Sequence, residues 1–171
     1  PPLALTMPTY GGKRRVYLDA GVSVDNVTAE MLWQFAWLGL AFAQVELGVA
    51  NPRVALHSNG EEPEKGDALT KEAFSLLVER KFPGFLNQNA QMTDLIANEV
   101  DVLVSEGFGG NKSFKSVEAG VRLVLEALKR LLKSKLIFKI LAWFLKPCFA
   151  AMKAELDSSE FGCQPLLGVD D

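Results

Sequence analysis

A chain of 171 residues, 49% of them hydrophobic and 23% charged, is long enough to bury a core and has the composition of a folded domain, which excludes a disordered tail. The net charge of −3 argues against nucleic acid as a partner, because neutralising phosphates needs a surplus of Lys and Arg on one face. Cys148 and Cys163 make no disulfide framework and sit at no metal-ligand spacing, as expected of semi-buried structural thiols in a reducing cytoplasm.

In chain order, Pro1 to Tyr10 lacks the basic and apolar regions of a secretory signal. Arg15-Val-Tyr-Leu18 reads as a short strand entering a turn at Asp19-Ala-Gly-Val-Ser23. Thr28 to Leu47 is apolar nearly all round, with Glu30 in its first turn and Gly48 beyond its end, and predicts a well-buried helix. Arg53-Val-Ala-Leu56 repeats the strand. His57 to Gly66 is a polar loop, and Leu69 to Arg80 an amphipathic helix stopped by Pro83-Gly84. Phe85-Leu86 suggests a brief strand, Met92 to Ala97 a helical turn, and Val100 to Val104 a core strand interrupted only by Asp101. A long helix is expected from about Ser113 to Lys133. Strands alternating with helices imply a three-layer α/β/α sandwich with a mostly parallel sheet, whose ligands bind beyond the carboxyl ends of the strands. The loops at 19–25, 57–66 and 105–112 then fall on one rim.

From Arg122 to Lys146 the pattern changes. Arg122, Lys129, Arg130, Lys133, Lys135, Lys139 and Lys146 stand in an otherwise apolar stretch whose only acid is Glu126, a pattern suited to a membrane surface or an acidic partner. Leu136 to Leu145 is strongly apolar but broken by Lys139 and closed by Lys146-Pro147. It is too short to span a bilayer, which takes about 20 residues.

Among the rim loops, Glu106-Gly-Phe-Gly-Gly-Asn111 stands between a buried strand and a helix, where glycines let backbone N–H groups approach an anion; a tight packing turn is the alternative. Lys65 stands in Asn59-Gly-Glu-Glu-Pro-Glu-Lys-Gly66, as a phosphate-binding ammonium or a solvated lysine. Glu61, Glu62 and Glu64 read as a solvated cluster capping the next helix. His57, the single histidine, is either a hydrogen-bonded structural residue or a catalyst, and with one histidine the chain offers no convincing metal site or Cys–His dyad.

Together Leu18-Asp-Ala-Gly21, Gln34-Phe-Ala36 with Gly39, Asn51-Pro-Arg-Val54, Gly60-Glu-Glu62 with Lys65-Gly66, Val100-Asp-Val102, Glu106-Gly-Phe-Gly-Gly-Asn111 and Pro165-Leu-Leu-Gly168 with Val169 closely resemble the acyl-ACP:phosphate acyltransferase family known as PlsX. The resemblance runs from about Pro8 to the end of the chain. It implies a fold related to phosphotransacetylases and isopropylmalate dehydrogenases, with a protruding helical hairpin over about 113–153. It also implies a homodimer, located in the cytoplasm and peripheral to the membrane, that transfers an acyl group from acyl carrier protein to inorganic phosphate without metal or other cofactor.

In that reading Lys65, Glu106 and Asn111 are catalytic, and Gly60, Gly66, Gly107, Gly109 and Gly110 shape the phosphate and substrate site. Ile137, Phe138, Ile140, Leu141, Trp143, Phe144 and Leu145 form a tip that rests on the membrane, with Lys135, Lys139 and Lys146 near anionic head groups; a core helix or a dimer contact is the alternative. Several positions depart from the family pattern: Ser23 stands where it has Asn, Glu106 where it has Asp, Asn87-Gln-Asn-Ala-Gln91 where it has a Gly-Asn-Val-Glu-Gly loop, and Gly162-Cys-Gln-Pro165 where it has Gly-Gly-Ala-Pro. Against that pattern the chain begins after the first Gly-rich strand and turn and stops before the closing strands and helices.

Overall fold

The computed structural model describes residues 1–156 and 165–168. Cys163 and the substituted positions 162–164 lie outside the described residues, as does Val169. The chain divides into two compact units: a sheet unit of Pro1–Asn111 with residues 165–168, and a helical unit from Lys112 onward.

The sheet unit contains β1 (Leu5–Pro8), β2 (Arg14–Leu18), β3 (Val54–His57), β4 (Phe85–Ala90) and β5 (Val102–Val104), in the order β1-β2-β5-β3-β4. Four strands are parallel, and β1 is antiparallel to β2, with Leu5 opposite Tyr17 and Pro8 opposite Arg14. Pro8, at the end of an edge strand, costs the sheet no ladder bond on its inner side. The crossovers run through α1 (Ala29–Val45), α2 (Ala68–Glu79) and α3 (Met92–Ile96). Val16, Leu18, Val54, Leu56, Val102 and Val104 face α1 and α2 in one cluster with Leu32, Phe35, Leu40, Phe74 and Leu77. The alternate residues Tyr17, Ala55 and Leu103 are fully buried as well, so the sheet is covered on both faces.

Gly39 explains how α1 lies so flat on the sheet. A Cβ there would come within 2.5 Å of Leu18 Cδ1 and 2.6 Å of Val102 Cγ1, so the helix crosses β2 and β5 at the one position without a side chain. At the amino ends of the strands, buried Asp101 joins β2 to β3. Its carboxylate lies 2.7 Å from Arg15 Nε and accepts from Arg53 N and Nε, each at 2.8 Å. Burial pushes the Asp101 pKa up, but the hydrogen bonds and charge of Arg53 and the charge of Arg15 outweigh it and hold the carboxyl below the ordinary carboxylate range.

Three local expectations are corrected. Residues 87–90 are not a loop but the second half of β4, where the span from Phe85 to Asn89 opposes the shorter span from Val54 to Leu56 of β3 and the resulting bulge in β4 takes up Asn87, with φ of 55°. The cap of α2 is not the glutamate cluster but Asp67, whose carboxylate accepts from Thr70 N at 2.8 Å. Cys148 is exposed, not semi-buried.

The helical unit comprises the greater part of α4 (Gly107–Ser134), then α5 (Leu136–Phe144) and α6 (Lys146–Leu156). No helix among the described residues is long and apolar enough to cross a membrane.

Candidate functional site

The strands β2, β5 and β3 are neighbours and parallel, so the loops after their carboxyl ends emerge side by side. The first is built around Asp19, which is fully buried. Its Oδ1 accepts from Leu3 N at 2.9 Å, Gly21 N at 3.0 Å and Val22 N at 3.2 Å, and its Oδ2 from Ser23 N at 2.6 Å. Four backbone donors on one carboxylate turn the end of β2 into a fixed loop.

The loop after β5 packs against it. Gly107 N donates to Ser23 O at 2.8 Å, and Asp19 N to Ser105 O at 2.9 Å. A Cβ on Gly110 would lie 1.8 Å from Asp19 O, so glycine is the one residue that lets the first turn of α4 approach the Asp19 turn this closely. The same contact brings the Asn111 side chain to within 3.2 Å of where a Cβ on Gly21 would sit. The tight-packing alternative for these glycines therefore has a physical basis.

The amides at the start of α4 are occupied from within the chain. The Glu106 carboxylate accepts from Phe108 N at 2.6 Å and from Gly109 N, while Gly110 N donates to Glu106 O at 2.9 Å. Glu106 thus serves as the N-cap of α4, placing its negative charge at the positive end of the helix.

In the loop after β3, Asn59 Oδ1 accepts from Gly66 N at 3.0 Å and Glu62 O accepts from Lys65 N at 3.0 Å. Buried Asn89 ties this loop to β4, donating from its backbone to Glu61 O at 2.8 Å and from Nδ2 to Glu62 O at 2.7 Å. Gly60 is buried, and a Cβ there would lie 2.9 Å from Lys65 Cγ, so the stem of Lys65 folds over it. The Lys65 side chain is exposed, and among the described residues no carboxylate pairs with its ammonium.

One pair on this rim has no counterpart in the sequence patterns. Tyr17 Oη and His57 Nδ1 are 2.8 Å apart, joining β2 to β3 across β5, and the tyrosine hydroxyl is 3.6 Å from where a Cβ on Gly110 would stand. Burial lowers the His57 pKa, partly offset by the charge of Asp94, so the imidazole is neutral at neutral pH. The residues are 40 positions apart. The available signal was period-two alternation placing Tyr17 on the face opposite Val16 and Leu18, but it becomes informative only once the strand order is known.

In the helical unit, Ile137, Ile140, Leu141, Trp143, Phe144 and Leu145 are exposed, Trp143 to 62% and Phe144 to 67%; Phe138 is half-buried beneath Lys135, whose Nζ stands 5.6 Å from its ring. Among the described residues no group of His, Cys, Asp or Glu is arranged to hold a metal ion.

A family model described as fatty acid synthesis protein matches residues 1–171. A phosphate acyltransferase of Sulfurovum sp. is 42% identical over 171 residues, covering 99% of this chain and 51% of the relative. One from Geobacillus thermodenitrificans is 39% identical over 170 residues, again across 99% of this chain and 51% of the relative. The chain therefore spans about half the length of the curated relatives it matches. A solved phosphotransacetylase from Streptococcus pyogenes superposes with a TM-score of 0.51 at 16% identity, over 72% of this chain and 41% of that one, which shows a shared fold.

Proposed function

The chain belongs to the fatty acid synthesis protein family, and we propose that its rim serves the transfer of a fatty acyl group from acyl carrier protein to inorganic phosphate, giving acyl phosphate for phospholipid synthesis. The observation that carries this reading is the convergence of three loops, after β2, β5 and β3, on one edge of a parallel sheet, with an asparagine amide and an exposed lysine that has no carboxylate partner among the described residues.

Phosphate oxygen attacks the thioester carbonyl, a C–O bond forms, the C–S bond breaks, and the carrier thiolate leaves and takes up a proton. No protein nucleophile is required. What the site supplies is position and charge for a dianion beside a thioester. Lys65 holds the phosphate, and the Asn111 amide donates to the oxyanion that develops on the carbonyl. Glu106 already fills the helix end, so its part is to position the first turn of α4, and Gly60, Gly66, Gly107, Gly109 and Gly110 set the backbone shape around it. The protein works as a homodimer in the cytoplasm, peripheral to the membrane, with α5 resting on the bilayer surface. Acyl carrier protein is its macromolecular partner.

A second reading, a membrane- or carrier-binding module without turnover, draws support from Glu106 itself, whose carboxylate occupies amides that an anion would otherwise use. Acyl phosphate formation from acyl-ACP and phosphate decides between the two. Turnover falling about a hundredfold in Lys65→Ala supports the enzyme. A well-folded sample with no turnover contradicts it and leaves the binding module.

A further inference from the structure

We propose that the Tyr17–His57 pair is a strut that holds two halves of the rim in register, and that both residues are positioning residues for acyl transfer, acting through Asn111 and Lys65. The rim's backbone bonds fall into two groups. The loop after β2 is tied to the loop after β5, by Gly107 N donating to Ser23 O at 2.8 Å and Asp19 N to Ser105 O at 2.9 Å; this half carries Asn111. The loop after β3 is tied to β4, by Asn89 N donating to Glu61 O at 2.8 Å and Ser58 N to Ala90 O at 2.9 Å; this half carries Lys65. The ladder between β5 and β3, which joins the halves inside the sheet, ends at Val104 and Leu56. His57 is the next residue of β3, and its Nδ1 stands 2.8 Å from Tyr17 Oη, so this bond carries the connection past the ladder and onto the rim. The same hydroxyl lies 3.6 Å from where a Cβ on Gly110 would stand, against the first turn of α4 and one residue before Asn111.

Packing alone does not call for these two groups. Their neighbours on the same sheet face, Ala55 and Leu103, are apolar and fully buried, and exchanging both partners of a buried hydrogen bond for apolar groups of the same shape is close to neutral for stability. What the hydrogen bond adds is a fixed distance and direction, where an apolar contact would let the loops slide. The rings meet edge to face, with centroids 5.6 Å apart and planes at 75°, which sets the tilt of the imidazole as well. Burial keeps that ring neutral at neutral pH, against the partly opposing charge of Asp94 in α3, and the tyrosine hydroxyl complements Nδ1 in either tautomer. Acyl transfer needs phosphate on Lys65 and the oxyanion at Asn111 in one geometry, and a misplacement of about 1 Å can cost about a hundredfold in rate.

The kinetic half of the test rests on the acyl-transfer reading above; the exchange half does not. Tyr17→Phe removes the hydroxyl and keeps the ring. In acyl phosphate formation by the full chain it should lower kcat at least about tenfold while KM for phosphate moves less than about twofold, because Lys65 still binds and only its register with Asn111 is lost. His57→Leu should do the same, whereas His57→Asn, whose amide puts a polar atom where Nδ1 stood, should keep kcat within about threefold. In an Asn111→Ala background Tyr17→Phe should add less than about twofold, since the group it positions is gone; a merely structural loss would multiply through in full. Hydrogen exchange reads the strut without turnover. In Tyr17→Phe, or in His57→Leu should the first variant fail to fold, exchange of Lys65 N–H, bonded to Glu62 O, and of Gly110 N–H, bonded to Glu106 O, should speed at least about tenfold while Leu103 in β5 is unchanged. A folded chain without turnover sinks the acyl-transfer reading alone, and exchange then decides the strut. Unchanged exchange at Lys65 and Gly110 overturns it, as does failure of both variants to fold, because the pair would then serve stability. In an active chain, turnover indifferent to the Tyr17 hydroxyl, or a Tyr17→Phe effect of equal size with and without Asn111, overturns it as well.

Discussion

The two units handle their apolar and polar groups in opposite ways. In the sheet unit, aliphatic side chains from β2, β3 and β5 are sealed under α1 and α2, and the buried carboxylates are engaged: Asp101 between two arginines, Asp19 by four amides. In the helical unit the large apolar residues of α5 face outward, and Lys135, Lys139 and Lys146, which have no carboxylate partner among the described residues, stand among them. The first arrangement stores stability in particular contacts; the second exposes surface whose free energy is recovered on binding. Substitutions should therefore act on folding in one unit and on association in the other.

The largest effect is expected at Asp101. Asp101→Ala leaves Arg15 buried without its counter-charge, at a cost of about 3–5 kcal/mol in urea unfolding. A loss below 1 kcal/mol would show that the ion triad is not what joins β2 to β3. Next is Gly110→Ala, whose added methyl must displace the Asp19 carbonyl; about 1–3 kcal/mol is expected, together with loss of any acyl transfer, because Asn111 moves with the helix start. Glu106→Ala removes a cap at about 1 kcal/mol and frees the amides of Phe108 and Gly109, so phosphate affinity measured by titration should rise as stability falls. A fall in both would mean that the carboxylate helps to organise the anion site.

A smaller effect is a slope with pH. The His57 pKa is lowered in the folded chain, so the unfolded chain binds the proton first as pH falls below 6.5. The contribution of the neutral imidazole to stability is thus present above that value and lost as pH drops through the folded-state pKa. Unfolding free energies of His57→Gln should lack this part of the acid slope. The smallest effect on folding belongs to Phe144→Asp, which should leave stability within about 0.5 kcal/mol while lowering liposome binding.

Much of this contrast was legible in the amino-acid sequence. Alternation and apolar runs located β2, β3, β5 and α1, and the lysines among apolar residues marked the helical unit as different. What escaped were features that depend on partners distant in the chain. β1 is a four-residue edge strand ending in proline, with too little pattern to read. The polar residues Asn87, Gln88 and Asn89 hid the second half of β4, which is strand because a bulge and the loop after β3 satisfy them. The start of α4 at Gly107 runs against glycine's poor helix propensity and depends on the Glu106 cap and on packing against Asp19. At the site, the glycines and Lys65 were visible as residue types. The Tyr17–His57 pair was not, since it arises from the strand order, and the self-occupied amides were not because the choice of Glu106 between capping its own helix and facing a ligand is a matter of side-chain rotamer.

The most direct test of the account is acyl phosphate formation from soluble acyl-ACP and phosphate by the full chain, Lys65→Ala and Phe144→Asp, run beside liposome sedimentation of the same three proteins. A double dissociation is expected: Lys65→Ala loses turnover by about a hundredfold and keeps its membrane binding, whereas Phe144→Asp keeps turnover and loses the membrane. A folded chain without turnover, or a tip substitution as damaging to turnover as the loss of Lys65, would contradict it.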